Sequence, residues 1–131
     1  MTIKNFEDLE IWKLSIELVR EVYDRSAQGL LSKDYILRDQ IRRAVISISS
    51  NIVEGFEKNN NNELIRYLKI SKGSAGEARA QLIIAHTLNY ITDEELKLTS
   101  NKMVILSSQI GKFISYLELK RKNKEFKHVN K

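Results

Sequence analysis

Proline is absent from all 131 residues of the chain. Its locked φ and missing N–H are what break helices and punctuate tight loops, so a chain without it favours long uninterrupted helices. An all-β or loop-rich fold would need turn chemistry that this sequence does not supply. Apolar spacing fills the expectation with four segments. The first spans about Phe6 to Ala27, with Asn5 as a predicted N-cap and Gly29 just past its end. Leu9, Trp12, Ile16, Val19 and Tyr23 step by threes and fours and predict its seam. The second spans about Lys33 to Glu57 with Ser32 as cap. Leu37, Ile41, Ala44, Ile48, Asn51 and Gly55 form its seam, widened by Val45, Ile52 and Phe56.

Lys58 and the asparagine run Asn59 to Asn62 read as a helix-to-helix loop with good capping chemistry. The third helix is expected from about Glu63 to Tyr90. Its seam of Leu64, Leu68, Ser71, Ala75, Ala78, Leu82, Ala85 and Asn89 has a small middle that lets another helix come close. The fourth opens on a capping box, Thr92 with Glu95, and continues through Leu96, Thr99, Met103, Leu106, Ile110, Phe113 and Leu117. Long helices joined by short connections predict an all-α fold, an up-down-up-down antiparallel four-helix bundle. Residues 1–119 form the bundle in this reading, and residues 120–131 a basic C-terminal tail, disordered or fraying.

Apolar residues also recur opposite the seams: Ile11, Leu18 and Val22 on the first helix, Tyr35, Ile46 and Val53 on the second. The third carries Ile70, Gly73, Ala80, Ile84 and Leu88 there, and the fourth Leu98, Ile105 and Tyr116. A lone bundle is polar on that side. The surplus predicts a second burial surface, and the expected partner is another copy of the chain in a homo-oligomer.

Charge narrows the function classes. The tail holds Lys120, Arg121, Lys122, Lys124, Lys127 and Lys131 against Glu125, a net of +5. The remaining residues carry 16 basic and 16 acidic side chains, so the high pI belongs to the tail. Within the neutral body the most basic stretch holds Lys58, Arg66, Lys69, Lys72 and Arg79 against Glu63 and Glu77. Such residues suit nucleic acid or an acidic partner, and also the negative end of a last helix. The candidate nucleic-acid contacts are Lys120, Arg121, Lys122, Lys124 and Lys127 with Arg66, Lys69 and Lys72.

Catalytic chemistry finds little footing. There is no cysteine for thiolate zinc or thiol catalysis, and only two histidines. Glu125 to His128 is the lone Glu-x-x-His spacing, and it lies in the tail, so no carboxylate metal site, cofactor or catalytic residue is expected. Lys72-Gly73-Ser74 lacks the rest of a phosphate loop, and Gly73 to Gly76 reads as close helix packing. Two polar positions stand out. Asn51 on its seam suits a register-fixing amide, while Glu77 on the apolar back of the third helix needs a partner such as Arg42 or Arg43. A site built around Glu54 and Glu77 is the functional alternative. No apolar run reaches the roughly 18 residues of a membrane span, and Met1 to Glu10 lacks a signal-peptide core, so a cytoplasmic protein with no membrane role is expected.

Ser47-Ile48-Ser49-Ser50-Asn51-Ile52-Val53-Glu54-Gly55-Phe56 resembles a family of four-helix-bundle proteins encoded in intervening sequences of bacterial large-subunit ribosomal RNA genes. The pattern continues through Tyr67 to Ser74 and then Glu77, and the opening Phe6 to Trp12 is also similar to the family's start. Ser49 stands where the pattern usually has proline, and Val53 where it has alanine. Asn51, Glu54, Gly55, Gly73 and Glu77 are the motif and interface positions. The resemblance implies a ring-like homopentamer. It also implies kinship with the accessory protein of diversity-generating retroelements, which presents a basic surface to nucleic acid and works with a reverse transcriptase. Two functions of different class follow: an oligomer that binds RNA or DNA, or an oligomer that docks another protein.

Overall fold

The structure, a computed structural model, describes residues 3–129, and their side chains as far as Asn123. Four helices make up almost all of it: α1 (Glu10–Ser26), α2 (Tyr35–Glu57), α3 (Asn61–Thr87) and α4 (Asp93–Val129). Single 3-10 turns at Phe6–Asp8 and Leu31–Lys33 precede α1 and α2, and no strand occurs among the described residues. Packing runs around a ring, α1 on α2, α2 on α3, α3 on α4 and α4 back on α1. No described helix is long and apolar enough to cross a membrane.

Helix starts show how local chemistry sets the boundaries. Leu9 is extended (ψ 127°), so the first segment divides into the Phe6–Asp8 turn and α1, and Asn5 caps neither with its side chain. The ring edge of Phe6 against Trp12, 5.3 Å between centroids, pins that turn to α1. Asp34 rather than Ser32 caps α2, its Oδ1 accepting from the Leu37 N–H at 3.1 Å. Ser32 is consumed by its own turn, where its hydroxyl donates to the Gly29 carbonyl. The other Asp34 oxygen accepts from the Tyr90 hydroxyl at 3.0 Å and pushes that phenol's pKa up. One carboxylate thus ties the start of α2 to the α3–α4 turn.

The asparagines divide their labour. Asn59 takes a left-handed φ of 51° after α2, and Asn60 caps α3 by accepting from the Glu63 N–H. Asn89, placed on the third seam by spacing, instead adopts φ 62° and lies beyond the end of α3. The capping box of α4 forms in both directions, Thr92 N–H to Glu95 and Glu95 N–H to Thr92. Beyond Leu119 the helix α4 continues without a break to Val129.

The core follows the predicted seams in three helices and departs from them in one. Ile41, Ile48 and Ile52 of α2, Leu68, Ala78 and Leu82 of α3, and Met103, Leu106 and Ile110 of α4 are all buried. Each large one contributes roughly 1.5–3 kcal/mol of transfer free energy. Ile114 joins them, and Phe113 is only half-buried. On α1 the faces are exchanged. Ile11, Ser15, Leu18, Val22 and Ser26 are buried, whereas Ile16 and Tyr23 of the predicted seam are exposed. Two serines made the true core face look polar. Their hydroxyls donate to the carbonyls of Trp12 and Tyr23, so neither is buried unpaired.

Candidate nucleic-acid interface

The basic residues of α3 and those following Leu119 meet at one end of the bundle. Arg121 donates to the Asn62 side chain at 3.0 Å and lies 4.0 Å from Glu118. Lys69 reaches the same Glu118 carboxylate at 3.5 Å. Arg66 stacks over the Tyr67 ring at 4.4 Å while donating to Glu63, and the Lys58 ammonium lies 5.9 Å from that ring. Arg66 holds the Glu63 carboxyl below its ordinary range, and its own pKa is raised by the same bond. Lys120 and Lys122 are exposed beside Arg121. The side chains of Lys124 and Lys127 lie outside the described residues. The end is therefore basic but already partly neutralised, because Glu63 and Glu118 occupy three of its cations.

Lys72 departs from that cluster. It lies in a groove of about 280 Å³ between α3 and α4, lined also by Gly76, Arg79, Met103, Ser107 and Ser108. A Cβ on Gly111 would come within 3.2 Å of the Lys72 Cε, so the bare glycine lets this stem lie across α4. Arg79 donates through Nε to the Ser100 hydroxyl at 3.1 Å. Arg79, Ser107 and Ser108 are absent from the contacts expected from sequence. The available signal is the seven-residue step from Lys72 to Arg79, which repeats one helical face.

The motif residues do something different. Asn51 is half-buried and donates to the Ser47 carbonyl and hydroxyl at 2.8 and 3.0 Å, so its amide is satisfied within α2 rather than across the bundle. The Ser47 hydroxyl pairs with that of Ser74, 2.9 Å away, and Ser71 donates to the Ile48 carbonyl at 2.8 Å. Gly55 sits where α2 and α3 approach closely, and an added Cβ there would lie 2.7 Å from the Tyr67 Cβ. The motif thus joins α2 to α3.

Glu54 and Glu77 do not form one site. Both are exposed, Glu54 level with the Gly55–Tyr67 contact and Glu77 ten residues beyond Tyr67, about 15 Å along α3. Glu77 accepts from Gln81 at 3.3 Å, not from Arg42 or Arg43. Arg42 instead donates to Ser26 and covers Tyr23. Gly73 and Gly76, read as close-packing positions, face open space with no atom within 4 Å of an added Cβ. No group of three or more metal-ligating side chains occurs among the described residues.

An ionic cluster between α1 and α4 escaped the sequence reading. Arg25 bonds Glu95 and Thr99, Thr99 donates to Glu21, and Lys102 closes on Glu21. Burial alone would raise the Glu21 carboxyl, but hydrogen bonds from Lys102 and Thr99, with the charges of Lys102 and Arg25, hold it below its ordinary range. Glu95 is lowered first by the Thr92 N–H and further by Arg25. Residues some 75 positions apart make this cluster, and spacing carries no sign of it.

Comparison with known proteins fits this architecture. A solved structure of a protein of unknown function from the S23 ribosomal protein family of Bacteroides thetaiotaomicron superposes with a TM-score of 0.73. It is 22% identical, and the match covers 79% of this chain and 97% of that one, a likeness of fold. No curated protein matches significantly. The profile of the 23S rRNA-intervening sequence proteins matches residues 7–112, through the α2–α3 motif and the first half of α4. With its four helices and that motif in place, the chain belongs to the 23S rRNA-intervening sequence protein family.

Proposed function

We propose that this chain is a non-enzymatic accessory protein of the cytoplasm that assembles with copies of itself and binds RNA through its basic end. The observation that carries the reading is the convergence of Lys58, Arg66, Lys69 and Arg121, with Lys120 and Lys122 beside them, at one end of a body whose charges balance overall. Repetition of such an end in an oligomer raises avidity without a strong single site.

Assembly is supported by two apolar surfaces left open on the protomer. Exposed Ile16 and Tyr23, with half-buried Trp12 and Val19, line the α1–α2 side with Ile46, and Ile70 and Ile84 lie exposed with Glu77 on one face of α3. Two different patches suit a head-to-tail ring, and a ring of five is what the family resemblance implies. The up-down-up-down order is supported by contacts whose numbers run in opposite directions. Along α3 and α4 they are Lys69 with Glu118, Arg79 with Ser100 and His86 with Asp93.

Titration of nuclease-treated protein against labelled single-stranded RNA at several salt concentrations tests the reading. If the six basic residues after Leu119 engage, log affinity against log salt slopes at about −4, roughly −0.7 per phosphate. Absence of binding at low salt ends it. A protein-docking oligomer is the second reading, favoured by the carboxylates of Glu63 and Glu118 that occupy Arg66, Lys69 and Arg121. Truncation after Leu119 separates the two: loss of RNA binding with an unchanged light-scattering mass supports the first.

A further inference from the structure

We propose that the α3–α4 groove between Lys72 and Arg79 seats the phosphodiester backbone of a single nucleic-acid strand, an inference that rests on the nucleic-acid reading above. Cations matter to an anionic polymer when nearby carboxylates do not already occupy them. At the basic end Arg66 belongs to Glu63, and Lys69 and Arg121 share Glu118. In the groove the balance is reversed. Neither Lys72 nor Arg79 makes an ion pair among the described residues, and no carboxylate lines the walls.

The geometry supplies more than charge. Lys72 and Arg79 are two helical turns apart on one flank of α3, about 10 Å along its axis, and Gly76 stands between them. With no Cβ and nothing within 4 Å, Gly76 leaves the floor open. The opposite wall carries the hydroxyls of Ser107 and Ser108, which make no side-chain hydrogen bond among the described residues. The bond from Arg79 Nε to Ser100 fixes the guanidinium at the groove while leaving its two terminal nitrogens to donate. At about 30 Å³ per water, 280 Å³ holds roughly nine waters, room for a phosphate and part of a ribose but not for a duplex. Few polar contacts to bases are available, so the groove reads backbone rather than sequence.

The test compares the full-length protein with Lys72→Gln/Arg79→Gln and with Gly76→Glu, using a labelled oligouridylate. Gly76→Glu sets a carboxylate between the two cations at an open helix position, so it folds whether or not the double variant does. Expected results are at least tenfold weaker binding for each variant, with the salt slope of the double variant flatter by about 1.4 at roughly 0.7 per phosphate. Light scattering is expected unchanged, and circular dichroism melting no lower than that of the unmodified protein. Wild-type affinity and slope in Gly76→Glu, beside loss on truncation after Leu119, would overturn the groove and leave the basic end standing. No binding by the unmodified protein removes the underlying reading along with it.

Discussion

The α2–α3 seam and the α1–α4 seam hold similar helices together by opposite means. Between α2 and α3 the chain uses absence: Gly55 brings the backbones together, and Ser47, Ser71 and Ser74 exchange short neutral hydrogen bonds. Between α1 and α4 it uses charge, with Arg25, Glu21, Glu95 and Lys102 meeting around the buried Thr99. A seam of small residues is sensitive to added volume and indifferent to pH. A seam of half-buried ions tolerates volume and depends on protonation.

The largest effect is expected from added volume. Gly55→Val drives a branched side chain against Tyr67 and costs about 2–3 kcal/mol, read as a lowered denaturant midpoint. An unchanged midpoint would mean that α2 and α3 are not held at this distance. Next comes Arg25→Ala, which leaves Glu21 and Glu95 without their shared cation and costs about 1–2 kcal/mol at pH 7.

The pH arm sharpens the contrast. Glu21 and Glu95 have folded pKa values below their unfolded ones, so their contribution is fully present above the unfolded carboxylate range, near pH 4.3. It is lost as pH falls through the lower folded values. The Arg25→Ala penalty therefore shrinks in melts at pH 2–3, whereas the Gly55→Val penalty persists. Equal shrinkage of both would dissolve the distinction. Smaller still, Gly73→Ala stabilises an isolated protomer by about 0.5–1 kcal/mol, because an exposed helical glycine with nothing near it only adds chain entropy. If it instead dissociates an oligomer in light scattering, α3 at Gly73 is where a second copy sits.

The difference between the seams also explains what was legible in the sequence. Spacing reports which residues share a face, so the cores of α2, α3 and α4 could be read nearly residue by residue. It fails where a helix has two plausible faces. On α1, Trp12, Ile16, Val19 and Tyr23 outscore Ile11, Ser15, Leu18, Val22 and Ser26 in hydrophobicity, yet the second set is buried. Small hydroxyls bonded to their own helix let α1 pack closely, a gain that counting apolar side chains does not register. The Thr92–Glu95 box was legible because four adjacent residues contain it. The Arg25–Glu95 pair was not, since its partners meet only after folding. For the same reason Lys72 and Lys69, three positions apart, looked alike until Glu118 was seen to take one and not the other.

The unbroken run of α4 has a kinetic consequence. Arg121 touches Asn62 at the first turn of α3, and eight helical residues follow it, about 12 Å of rod. The Debye length at physiological salt is about 8 Å. The far end of that rod therefore lies beyond the range over which Glu63 and Glu118 can mask it. On the nucleic-acid reading proposed above, a polyanion would meet the net positive charge of this segment before the balanced body, and the encounter would be oriented by it. Shortening the rod would slow capture more than it would hasten release.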